Sequence, residues 1–135
     1  MAVALVNERT QEQVATSVEL AMTRTSRRRG LLGRDALDTS AAMLLAPCAA
    51  VHTAFMRFAI DVVFIDRAGR AVKTVGDVRP WRMALAFGAY AVIEMAAGTL
   101  QRHPVSIGDR LYLTPDSDPA ATCVTTEFAA VRPVL

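Results

Sequence analysis

A chain of 135 residues is one domain by length, and it can bury a core without a metal or disulfide staple. At 53% hydrophobic and 21% charged residues it is not a disordered chain, and a net charge of +2 makes no electrostatic case for nucleic acid or an anionic membrane. The basic residues are 14 Arg and a single Lys, Lys73, which with 24 Ala is the bias a GC-rich coding sequence gives.

No apolar run of about 18 residues occurs, so no transmembrane helix is expected. Met1–Glu8 lacks a basic n-region and its apolar stretch is short for a signal peptide, which makes a cytoplasmic protein the expectation. Cys48 and Cys123 stand apart, with no CxxC and no Cys/His cluster. Zinc wants three or four closely spaced ligands, so neither a metal nor a cofactor is expected, and both cysteines read as free thiols.

Residues 1–13 read as an N-terminal extension or an edge strand. From Val14 to Thr23, Val14, Val18, Leu20 and Met22 share parity, as in a half-buried strand. Thr25 or Ser26 can cap a short helix through Leu32, ended by Gly33. Ala42–Ala46 is a short apolar run stopped by Pro47, and Val51–Phe58 is a second such segment. Ile60–Asp66 is the clearest strand, β-branched and aromatic but for Asp61. Arg67-Ala68-Gly69-Arg70 turns it into a partner over Ala71–Val75, a hairpin within residues 60–77. Arg79–Gly88 reads as a loop, Tyr90–Met95 as a strand, Gly98–Arg102 as a helical turn, and Arg110–Leu113 as a further strand. The whole is mainly β with one or two short helices (α+β), a barrel-like or sandwich single domain over residues 14–113. Residues 114–135 read as a linker and tail, in which Thr122–Val131 is either one more strand or a mobile appendage.

Polar groups inside apolar sequence need partners, and they mark the candidate site. His52, Arg57 and Asp61 lie in the block Cys48–Asp66. Arg57 and Asp61, flanked by Met56, Phe58 and Ile60, invite a buried ion pair; alternatively Arg57 turns its planar fork to a carboxylate or phosphate. His52 is either a satisfied core residue or a general acid or base. Cys48 is four residues from His52, but in a β-rich context that spacing does not make a nucleophilic pair. Glu94 stands in an apolar strand and wants a cation, for which Arg57 and Arg82 are candidates. Trp81 and Arg82 form part of a ligand rim, or Trp81 plugs one end of the domain. The arginines at 24, 27, 28, 29 and 34 read as a solvated face. No P-loop, GxGxxG, GxSxG or HExxH motif occurs.

The block from Cys48 has the pattern C-x-x-x-H-T-x-x-M-R-F-x-I-D, completed by V-x-F-x-D through Asp66. Upstream lie Arg27–Arg34, similar to an R-x-x-G-L-M-x-R helix, and Ala42-Met43-Leu44-Leu45, in place of G-M-L-F. Downstream lie Arg79-Pro80-Trp81-Arg82, Val92–Gly98 and Gly108-Asp109. With these blocks the chain resembles the bacterial and archaeal family called domain of unknown function 192, over residues 14–113. The resemblance implies a β-rich single domain and brings no established reaction. It nominates His52, Thr53, Met56, Arg57, Asp61, Trp81, Arg82 and Glu94 for one pocket. Ala42, Leu32 and Ala59 depart from the family's usual Gly, Met and Pro.

Three functions fit these residues. The first is a binding or accessory module for a small anionic or peptide-like ligand, contacted by Arg57, Asp61, Trp81, Arg82 and Glu94. The second is a small enzyme with His52 as general acid or base and Arg57 as anion stabiliser. The third is a structural protein whose polar groups only fix the fold. An exposed strand edge would also allow a homodimer.

Overall fold

Residues 3–115, which the computed structural model describes, form ten strands and two short helices. In chain order these are β1 (Val3–Asn7), β2 (Gln13–Ala15), β3 (Ser17–Ala21), α1 (Arg24–Arg29), β4 (Ala41–Leu45) and β5 (Ala50–His52). There follow β6 (Ile60–Ile65), β7 (Ala71–Val78), β8 (Met83–Leu85), β9 (Ala91–Ala96), α2 (Thr99–Arg102) and β10 (Leu111–Pro115). Cys123 and the expected strand over residues 122–131 lie outside the described residues.

The central sheet has the order β3-β4-β9-β6-β7. Its inner strands β6 and β9 are buried at all six positions each. A strand covered on both faces needs apolar side chains at both parities, which explains the unbroken runs around Val63 and Ile93. One face, with Leu44, Val63 and Ile93, packs against Leu5, Val14 and Leu111 of a three-stranded sheet, β10-β1-β2. The other face, with Leu45, Phe64 and Val92, is covered by Leu31, Val51 and Ala84 from the turn after α1 and the β5–β8 ribbon. The sheets stay open, so of the two expected β architectures this is the sandwich, mainly β with two short helices.

Several boundaries differ from the sequence expectation for identifiable reasons. β1 is the middle strand of its sheet rather than an extension or edge, paired to both β10 and β2. The run from Val14 breaks at Thr16 into β2 and β3, which belong to different sheets, and Leu20 is 46% exposed. α1 begins after Thr23, whose hydroxyl accepts the Ser26 N–H at 3.0 Å while Ser26 Oγ accepts the Thr23 N–H. It ends at Gly30, in a positive-φ conformation that an L side chain resists. β3 and β4 run parallel, so the chain needs the long connection that carries α1. β10 continues through Pro115, past the expected boundary. The β6–β7 hairpin turns where expected, with the Gly69 N–H on the Asp66 carbonyl at 3.0 Å and φ +82° at Gly69.

Asp61 sits where the β6–β7 register slips: Ile60 faces Val78, but Val62 faces Val75. The extra residue on β7 leaves backbone groups without ladder partners. The Asp61 carboxylate takes them. It accepts the Asp77 N–H at 2.8 Å, and on its other oxygen the Gly98 and Leu100 N–H groups at 3.1 and 2.9 Å. One buried side chain thus ties the bulge of β7 and the start of α2 to β6. Asp61→Ala should lower the unfolding free energy by about 2–4 kcal/mol, because it strands three donors. Asp61→Asn should recover part of that loss. Urea unfolding checks both, and an unchanged midpoint in Asp61→Ala would refute the assignment.

Candidate functional site

Strand β9 brings Glu94 into the layer between the central sheet and the β5–β8 ribbon. Its cross-strand neighbours are Met43 and Val62, both apolar. Glu94 is 5% exposed, and its Oε2 has no hydrogen-bond partner among the described residues. Burial raises its pKa to about 7, since the charged form is desolvated. Leaving a buried polar atom unpaired costs about 1–3 kcal/mol, so the group needs an explanation.

Glu94 lines a narrow cavity of about 80 Å³. The rest of the lining is the turn Arg27–Leu32, Leu45, Cys48, Ala50–His52 and Met56. That volume holds two or three waters at roughly 30 Å³ each, or one small polar group. Arg27 is not a counter-ion for the carboxylate: its guanidinium donates to the carbonyls of Met22 at 2.8 Å and Ala46 at 3.4 Å. The Cys48 thiol donates to the Ala50 carbonyl at 3.0 Å, and burial pushes its pKa up. A thiol with a raised pKa is a poor nucleophile, which leaves a Cys48–His52 pair without support.

Of the other expected site residues, His52 and Met56 line this cavity and the rest lie apart from it. His52 is exposed at the cavity rim, on β5 opposite Met83. The expected Arg57–Asp61 ion pair does not form. Residues 53–59 are not helical, Arg57 reaches the exposed Asp35 carboxylate instead, and Asp61 is filled by backbone donors. Arg82 is exposed and its guanidinium donates to the Trp81 carbonyl, so neither it nor Arg57 partners Glu94. Trp81 does not plug the domain: it is 60% exposed, its ring 4.6 Å from that of Phe55 between centroids.

Thr53 connects the two regions. It is fully buried, and its hydroxyl donates to the Arg79 carbonyl at 2.6 Å and accepts the Arg82 N–H at 2.8 Å. Its own N–H bonds the Arg82 carbonyl, and its carbonyl accepts from Met56 and Trp81. A wider open cleft of about 790 Å³ lies beyond Cys48, between Pro47, Arg67 and Tyr90. Its charges are engaged: Asp66 accepts from Ala68 and Arg70 N–H groups, and Arg67 stacks over the Tyr90 ring. The smaller cavity therefore holds the distinctive chemistry. Glu94 as a polar group in need of a partner is legible in the sequence, whereas the lining by Leu45 and the turn after α1 has no local signal.

No helix among the described residues is long and apolar enough to cross a membrane, and no group of three or more potential metal ligands occurs among them. No curated protein matches the chain. Two solved structures share the fold. One is a candidate transcription regulator from Sinorhizobium meliloti 1021, with a TM-score of 0.71 and 25% identity over 81% of this chain and 89% of that one. The other is a protein of unknown function from Novosphingobium aromaticivorans DSM 12444, with a TM-score of 0.70 and 22% identity over 81% of each chain. Residues 5–113 match the family domain of unknown function 192, described as "Uncharacterized ACR", and the chain belongs to that family.

Proposed function

We propose that the protein is a small cytoplasmic binding module, whose site is the Glu94 cavity and whose ligand presents a hydrogen-bond donor to Glu94. The unpartnered Oε2 of a buried carboxyl carries this reading. A group placed only for the fold would be satisfied, as Asp61 is. The cavity admits an amine, an amide or a hydroxyl, a donor that a peptide-like ligand supplies. A free anion is less suited, because a carboxyl with a pKa near 7 carries partial negative charge at neutral pH.

An enzymatic reading rests on the same carboxyl, because a pKa near 7 suits general acid–base work. In that reading Glu94 takes the role first assigned to His52, and His52 contacts the substrate at the rim.

Ligand-observed NMR with a panel of small amines, amides and carboxylates tests the binding site. Amines and amides should show saturation transfer with wild type and lose it with Glu94→Met. Equal transfer to both proteins would reject the cavity as the site.

Glu94 also sets a pH dependence. Its folded pKa, about 7, lies above the ordinary value of 4.5, so folding favours the protonated form. Both states are protonated well below pH 4.5, and there the carboxyl imposes no ionisation penalty. As pH rises from 4.5 to 7 the unfolded chain ionises first, and the folded state loses about 3 kcal/mol relative to it, levelling off above 7. Glu94→Met should remove this loss and be more stable than wild type at pH 7.5. Urea unfolding of both proteins across this pH range checks the sign, and a less stable Glu94→Met at pH 7.5 would assign Glu94 to the fold.

A further inference from the structure

The outward side chains along β8 are apolar where a solvated face should be polar, with the exposed His52 of β5 opposite Met83. Met83, Leu85 and Phe87 are 70%, 40% and 94% exposed, while Ala84 and Ala86 between them are buried. Period-two alternation therefore puts the large side chains outward and the small ones inward. Phe55 and Trp81 extend the strip, 74% and 60% exposed and in ring contact. Both aromatics have positive φ, 64° and 65°, a conformation that bulky residues adopt only when their surroundings impose it. The hydrogen bonds of Thr53 impose it here, from both loops at once.

Cations border this strip. Arg57, Arg79 and Arg82 are all exposed; Arg57 is paired with Asp35, and Arg82 has no carboxylate partner among the described residues. Arg79 reaches Asp77 only at 3.6 Å. A rigid aromatic pair with an arginine rim has the composition of a protein-binding hot spot. Its charge complement is acidic.

We infer that this strip docks an extended segment of a partner protein, one that alternates apolar and acidic residues. The apolar side chains cover Phe55, Trp81 and Met83, and the carboxylates reach Arg79 and Arg82. The strip is a narrow ribbon running along β8, which fits a chain segment better than a lipid surface. It is a separate surface from the Glu94 cavity and does not depend on a ligand there.

Trp81 is the only tryptophan and sits in the strip, so its fluorescence reports occupancy directly. The probe is a short synthetic peptide alternating Leu and Glu, fluorescein-labelled for a parallel anisotropy titration. The expected result is saturable binding with a blue shift of Trp81 emission, and no binding of the matching Leu/Lys peptide. Arg82→Glu should weaken binding tenfold or more, and Phe87→Ser and Met83→Ser several-fold, with unchanged circular dichroism because all three sites are exposed. Glu94→Met should bind the peptide as wild type does, which separates this proposal from the cavity reading. Equal binding of both peptides, or of neither, overturns it. So does a blue shift with phosphatidylglycerol vesicles and not with the Leu/Glu peptide, or a shift that tracks protein concentration together with dimer formation in sedimentation.

Discussion

Everything in this fold follows from strands β6 and β9 being covered on both faces. A strand in that position has no water to solvate a polar side chain, so any carboxyl on it must find donors in the protein or stay costly. The two strands carry one carboxyl each inside the sheet, and the two are treated in opposite ways. Asp61 stands at a register slip, where the β7 bulge and the start of α2 release backbone N–H groups toward it. Glu94 stands mid-strand between Met43 and Val62, where the ladder already consumes the backbone donors. The same chemistry yields a structural joint in one place and an open valence in the other.

The elements that fill both parities were the ones legible in the sequence. Ile60–Ile65 and Ala91–Ala96 announce themselves by unbroken apolar runs, and Gly69 fixes the hairpin turn by its backbone freedom. β1 was not legible as a central strand, because its place depends on pairing with β10 at the far end of the described chain. β8 was not legible at all. Its pattern, large residues alternating with alanines, points the wrong way for a core, and only the structure shows that the alanines are the buried set. For the candidate site, the need of Glu94 for a partner could be read from its apolar neighbours, but the lack of one could not. Partner choice is set by which loop ends reach which strand, and that is why Arg57 finds Asp35, not Asp61.

Arginine illustrates the same separation of composition from position. Arg27 is spent on the carbonyls of Met22 and Ala46, which anchor the turn that walls the cavity. Arg34 forms a two-contact pair with Glu19, at 3.2 and 2.7 Å, on an exposed face. Such surface pairs contribute little to stability. Arg9 closes the opposite end of the molecule by bonding Asp109, whose pKa it holds well below the usual carboxylate range. None of these guanidiniums is available to a ligand without breaking a contact. Arg82 differs, since among the described residues its guanidinium donates only to its neighbour's carbonyl.

Thr53 shows how a small polar residue can couple two surfaces without touching a ligand on either. Its carbonyl holds the Met56 N–H, and Met56 lines the Glu94 cavity. The same carbonyl and the hydroxyl hold Trp81 and Arg82 on the outer face. One buried residue, whose every polar group is bonded, therefore positions both a residue of the cavity wall and the aromatic pair. The hydroxyl, N–H and carbonyl of Thr53 are all bonded at a site with no water to exchange with, which favours a single arrangement of both loops.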